Sequence, residues 1–268
     1  YYRFLSKLND DFENEKNILI ENLKKLTKMI FSKDNLMVSY TATREGLAGL
    51  EEELAKVREG LYEAQKEETR CVIHCEKKNE GFQTSSKVQF VAQAGNFLDA
   101  GKEYHGALQI LKVIMSYEYL WMNIRVKGGA YGCMSNFNRI GEGYFVSYRD
   151  PNLKKTLEVY AGVPEYLRNF TVSERDMTKY IIGTISNIDQ PMTPAAKVDR
   201  SMNLYMNHLT EEMIQEERMQ ILRATQEDIR NLAEIAEAVL ACDQICVIGN
   251  EEKINDEKEV FGEVTALF

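Results

Sequence analysis

The sequence has no run of about 18 apolar residues, the length that a membrane-spanning helix needs. It therefore offers no candidate span, and no membrane partner is expected. Histidine is scarce, with 3 in 268 residues, and none of His74, His105 and His208 stands in an HxxEH or HxxxEH spacing. Such a spacing sets two metal-binding imidazoles on one helical turn, with a glutamate between them as general base. No P-loop, dinucleotide fingerprint or Ser-His-Asp pattern occurs either. No basic patch is interleaved with aromatic residues, and the net charge is −9. That balance excludes a nucleic-acid role and mildly favours basic partners. Cysteine is present five times, as Cys71, Cys75, Cys133, Cys242 and Cys246, without a disulfide-like framework. An odd, unpatterned count points to a reducing compartment, cytoplasmic or an organelle matrix. Cys71, His74 and Cys75 sit together in CVIHC, but no CxxC partner supplies a fourth ligand. They read as structural residues, and no metal site is expected in this chain.

What is present is ordinary for a soluble globular protein: 44% hydrophobic and 28% charged residues. The first residues, Tyr1-Tyr2-Arg3-Phe4, read as mid-helix without an initiator Met, so a piece of a longer polypeptide is expected. Helical periodicity predicts helices over 10–32, with Ile18, Leu19, Leu23, Leu26 and Ile30 on one stripe, and over 44–66. Both stripes suit ordinary core packing. Asn35–Thr41 reads as a buried strand. Residues 76–87 are polar with Gly and Ser, and they are the candidate domain boundary. Strands are expected at 88–94, 130–139, 144–149 and 244–249. Asp150-Pro151, Ser173 and Thr193-Pro194 read as helix starts, with further helices at 211–223 and 226–241 and a short helical tail. Residues 1–62 and 200–268 share one order of helices, strand and helix, so the chain reads as the tail of one α/β unit followed by a second copy.

The stretch on which these elements converge is RVKGGAYG, residues 125–132. Apolar residues from Ala107 to Ile124 fall at helical spacing, so one helix should deliver Arg125. Gly128 and Gly129 stop that helix, because paired glycines allow a positive φ and a close backbone turn. A strand follows, with Tyr131, Cys133, Ser135 and Phe137 on one face. The bend brings two hydrogen-bond donors, Arg125 and Tyr131, near each other. On spacing alone they read as a helix-capping cation and an ordinary strand aromatic. On the outer face of the sheet, Asn136, Asn138 and Ser147 are polar enough for wet contact with an unfolded peptide.

RVKGGAYG, together with VQFVAQAGNF (88–97), YHGALQIL (104–111), YLWMNI (119–124) and SYRDPNLKKTLEVY (147–160), resembles the C-terminal half of the pitrilysin/insulinase zinc metallopeptidases, in particular the presequence-protease branch. The resemblance implies an α+β fold, an antiparallel-rich sheet with helices on one face, repeated four times in two halves joined by a linker. Residues 1–70 would finish the third unit and 71–268 would form the fourth. It implies zinc held by the N-terminal half of the same polypeptide, peptide substrates, and no zinc site here. Arg125 and Tyr131 would reach across a closed chamber, contact the substrate backbone and stabilise the oxyanion. Gly128 and Gly129 would shape the turn and give a peptide room, with Asn136 as a further peptide contact. The competing readings are a non-catalytic homologue serving as a peptide-binding or scaffold subunit, and a generic interaction module.

Overall fold

The structure, a computed structural model, describes residues 1–63 and 76–267. Cys71, His74 and Cys75 lie outside the described residues. In chain order the helices are α1 (Tyr2–Asp10), α2 (Phe12–Ile30), α3 (Arg44–Glu59), α4 (Ala107–Tyr117), α5 (Lys154–Ala161), α6 (Val163–Arg168), α7 (Glu174–Ile188), α8 (Pro194–Met206), α9 (Glu211–Leu222), α10 (Gln226–Asn231), α11 (Ala233–Ala241) and α12 (Glu251–Asp256). The strands are β1 (Glu80–Thr84), β2 (Gln89–Asn96), β3 (Gly132–Phe137), β4 (Glu142–Asp150), β5 (Gln244–Asn250) and β6 (Glu263–Ala266). By backbone proximity the chain divides into two units: Tyr1–Ile73 with Met192–His208, and His74–Pro191 with Leu209–Phe268. The expected boundary at 70/71 falls in the stretch outside the description. The geometric division assigns α8, expected in the second unit, to the first.

The second unit is a six-stranded sheet in the order β3-β4-β2-β5-β1-β6. β3, β4, β2 and β5 pair antiparallel, whereas β1 runs parallel to both β5 and β6. One face carries the core: Val91 of β2, Phe137 of β3, Phe145 of β4 and Val247 of β5 are fully or nearly fully buried. Against them pack α4, through Ile110, Leu111 and Ile114, and α11, through Ala236 and Val239. Apolar residues repeating at three- and four-residue steps put one stripe of each helix on the sheet. Phe145 stacks on Tyr160 at 5.5 Å between ring centres, and the Tyr160 hydroxyl donates to the Val91 carbonyl at 3.1 Å. The opposite sheet face is open, with Phe90, Met134, Cys246 and Ile248 exposed.

The first unit has no such core. Among its described residues only Ser32 is buried, and the stripe of α2 is open, with Ile18 58%, Leu23 52% and Ile30 59% exposed. The expected core packing of α2 and α3 is therefore not made within the described residues.

Other expectations need correction. Asn35–Thr41 is neither strand nor buried: a 3-10 turn at Lys33–Asn35 is followed by irregular chain with Leu36, Met37 and Val38 exposed. A strand exists only with a hydrogen-bonded neighbour, and the described residues offer none there. Residues 76–87 are no mere linker, since they contain β1, whose short polar sequence conceals a strand stabilised by its parallel neighbours. The tail ends in β6, not only in helix. The run 226–241 breaks at Leu232 into α10 and α11. Ser173 and Thr193 do cap α7 and α8, accepting from the N–H groups of Asp176 (3.1 Å) and Ala196 (3.2 Å).

Candidate functional site

Arg125 is delivered by a broken helix, not by the continuous one expected. α4 ends at Tyr117, Glu118 leaves helical geometry, and a π-helical turn spans Trp121–Val126. In that turn the Lys127 N–H reaches back five residues to the Met122 carbonyl at 3.0 Å. The wider turn rotates Arg125 relative to the α4 stripe, and such turns recur at functional sites. The chain then reverses at the two glycines. Gly129 has φ +82°, which a side chain resists. At Gly128 a Cβ would lie 2.5 Å from the Ile124 carbonyl oxygen. One glycine is needed for conformation and the other for close approach.

The bend is tied to the end of β4 by two bonds. The Tyr131 N–H donates to the Arg149 carbonyl at 3.3 Å, and Asn152 Nδ2 donates to the Gly128 carbonyl at 2.7 Å. Asn152 is held in turn by Asp150, fully buried, whose carboxylate accepts from the Asn152 N–H at 2.8 Å and the Thr156 hydroxyl at 2.7 Å. Asp150 was expected to cap a helix beginning at Pro151. It ends β4 instead, and α5 begins at Lys154, because a helix begun at Pro151 would forfeit the ties that position the bend.

Tyr131 precedes β3 and is 58% exposed, so it does not share the buried face of Cys133, Ser135 and Phe137. The Arg125 guanidinium carbon lies 4.8 Å from the Trp121 ring centre and 5.3 Å from that of Tyr131. A second guanidinium, Arg149, lies 5.4 Å from the Tyr131 ring centre. The Tyr148 ring lies 5.6 Å from it. Arg125, Val126, Gly129, Ala130, Tyr131 and Arg149 line an open depression of about 510 Å³. Its polar side chains are two permanently charged guanidiniums and a phenol, all capable of donating. On the adjoining strand, burial pushes the Cys133 thiol up to about 11, helped by the Asp150 carboxylate and opposed by Arg125.

The structure thus brings Arg125, Gly129 and Tyr131 to one hollow, while Gly128 forms the bend without lining it. It does not bring Asn136 there: that residue is half-buried on the open face of β3, opposite Tyr144. Ser147 is fully buried on the helix-facing side and cannot line an outer surface. Asn138 shapes the β3–β4 turn, its Oδ1 accepting from the Ile140 and Glu142 N–H groups. His105 is a local cap, its Nδ1 accepting from the Ala107 N–H at 3.1 Å. Arg149, Asp150 and Asn152 were missed as site residues. Their signal was the SYRDPN text, which follows RVKGGAYG so closely that the two meet in space. Among the described residues no group of three or more His, Cys, Asp or Glu is arranged to hold a metal, and no helix is long and apolar enough to cross a membrane.

Comparison with known proteins gives the following. The model of the PreP C-terminal domain family matches residues 79–251. Protein HypA of Clostridium perfringens is 41% identical over 267 residues, covering 100% of this chain and 27% of that protein. Presequence protease 1, chloroplastic/mitochondrial, of Arabidopsis thaliana is 29% identical over 273 residues, covering 98% of this chain and 25% of that protein. The chain therefore spans about a quarter of the length of these relatives. The crystal structure of pitrilysin superposes with a TM-score of 0.51 at 13% identity, over 77% of this chain and 23% of that one, a likeness of fold.

Proposed function

The chain belongs to the family of PreP C-terminal domains, and from that premise we propose that it is the C-terminal part of a zinc-dependent metalloendopeptidase that degrades short unfolded peptides. Zinc in such an enzyme supplies a polarised water when bound. On this reading the metal is held by the N-terminal half of the same polypeptide. The contribution of this chain is to bind and to stabilise charge. As a substrate carbonyl is attacked, negative charge grows on its oxygen. The Tyr131 hydroxyl donates to that oxygen, and the Arg125 guanidinium, lying against the Tyr131 ring, holds a neighbouring carbonyl and orients the ring. Fixed donors aimed at developing charge act most strongly where water is excluded, as in a closed chamber between two halves.

The observation that carries this reading is the meeting of Arg125 and Tyr131 at an open hollow, against a bend held by Asn152 and the Arg149 carbonyl. Two others support it. The open sheet face, with Phe90, Met134 and Ile248 exposed, suits the wall of a peptide chamber. The uncovered stripe of α2 calls for a partner, and the preceding part of the polypeptide is that partner. Residues 1–70 then complete the third repeat and 71–268 the fourth. Free Cys133, Cys242 and Cys246 accord with a reducing compartment, cytoplasmic or an organelle matrix. A non-catalytic homologue acting as a peptide-binding or scaffold subunit ranks second, because it would not require the oxyanion donor.

In the full-length protein, Tyr131→Phe should lower kcat on a short unfolded peptide about 10²-fold, the cost of one oxyanion donor, with KM little changed. An unchanged kcat would remove the oxyanion role from Tyr131.

A further inference from the structure

Arg149 has no assigned role, yet the backbone is bent to present it. Opposite β2 the register of β4 slips by one: Gln89 pairs with Asp150 but Val91 with Ser147. Two residues, Tyr148 and Arg149, therefore stand where one would suffice. This bulge keeps both Ser147 and Asp150 on the buried face and turns Arg149 to the outside. Arg149 also has φ +48°, a conformation that non-glycine residues adopt at a cost and that clusters at functional sites. Bulges beside binding sites commonly serve to re-aim one side chain. The side chain so aimed lines the hollow of Arg125 and Tyr131. Among the described residues neither guanidinium has a carboxylate partner, in a chain whose net charge is −9. Two unpaired cations at one hollow exceed what a single developing oxyanion needs.

We infer that Arg149 is a specificity-determining residue that binds a carboxylate of the peptide, either its C-terminus or an acidic side chain. This rests on the peptide-binding reading above. A guanidinium meets a carboxylate through two parallel N–H···O bonds, a geometry that lysine cannot copy. Arg125 remains free to hold the peptide backbone.

The test is equilibrium binding of matched fluorescent peptides to the full-length protein. One peptide has an amidated C-terminus and Gln at a single internal site. A second differs only in a free C-terminal carboxylate, and a third only in having Glu for Gln. Wild type should bind one carboxylate peptide at least 10-fold tighter than the neutral one, and which one identifies the source. Arg149→Gln should cut that preference to under 2-fold, and Arg149→Lys should keep only part of it. Arg149→Gly separates site from scaffold: glycine relieves the positive φ, so Tm should hold or rise while the preference is lost. No preference in wild type, or equal weakening of all three peptides by Arg149→Gln, would overturn the inference. Binding is read without turnover. A protein that selects carboxylate peptides through Arg149 but cuts none would sink only the peptidase reading. One that cuts through Tyr131 but ignores carboxylates would sink only this inference.

Discussion

At the scale of the residue, the hollow is a set of donors with a half-buried thiol, Cys133, on the adjoining strand. Desolvation raises Cys133 first, Asp150 raises it further, and the Arg125 cation pulls the other way, which puts the thiol at about 11 against an ordinary 9.0. A raised thiol pKa means the neutral form persists through physiological pH, and the thiolate is the reactive species. At pH 8 Cys133 should therefore carry roughly 100-fold less thiolate than an ordinary cysteine. Iodoacetamide labelling, followed residue by residue by mass spectrometry, should show Cys133 lagging free thiol by about that factor and catching up only as the pH approaches 11. Arg125→Gln should slow it further, because the one charge favouring the thiolate is gone. Labelling of Cys133 at the rate of a free thiol would mean that its thiol is not desolvated as described. Arg125 and Tyr131 themselves were legible in the sequence, since a diglycine bend between helix and strand brings its flanks together. Arg149 was not, because period-two alternation has no symbol for a bulge, and a positive φ at arginine has no signature in one sequence. Ser147 was misplaced for a related reason: which face of a strand looks outward depends on where the helices pack, and Ser147 is fully buried.

Elements were read best where local chemistry decides them. Ser173 and Thr193 cap their helices as expected, and β2 and β5 show their alternation, because caps and half-buried strands depend on near neighbours. They were read worst where distant parts of the chain decide. β1 and β6 are short and polar and exist because β5 and β1 offer them parallel ladders. Asn35–Thr41, apolar and strand-like, finds no ladder among the described residues. The helix leading to Arg125 looked continuous because a π-helical turn preserves apolar spacing closely enough to hide. One contact fixes the layer geometry of the second unit. α11 crosses β2 so closely that a Cβ at Gly95 would lie 2.3 Å from the Val239 carbonyl oxygen and 2.7 Å from Cys242 Cβ. Neither neighbour is the loose end of a side chain. Gly95→Ala should therefore force α11 off the sheet and cost about 2 kcal/mol or more, in the upper range for overpacking. Gly49→Ala is the control: it lies in α3 with nothing within 4 Å of the added carbon, and it should gain about 0.5–1 kcal/mol of helix propensity. Urea midpoints measured on both variants check the pair of signs. A Gly95→Ala midpoint equal to wild type would mean that α11 and β2 are not packed as described.

Over the whole molecule the two units differ in kind. The second closes a core of its own, with some thirty buried apolar side chains led by Tyr160, Phe97 and Phe145. The first leaves Ile18, Leu23, Leu26 and Ile30 of α2 in the open. An amphipathic helix contributes to stability mainly by burying its stripe, so α2 is built for a surface that these residues do not supply. The relatives are about four times as long as this chain, so a covering surface from the rest of such a polypeptide is a testable expectation. Leu23 decides the matter. Its side chain is 52% exposed, and a truncation at an exposed site changes stability by no more than about 0.5 kcal/mol. Covered by the rest of the polypeptide, the same truncation would open a cavity and cost about 2–5 kcal/mol. Leu23→Ala in the full-length protein should thus lower its urea midpoint by an amount set by the larger figure. Lys24→Ala, one position along and 65% exposed at the side chain, should stay near wild type, because it lies off the stripe. If both variants unfold with the wild type, α2 faces water in the complete protein, and its stripe does not mark an interface.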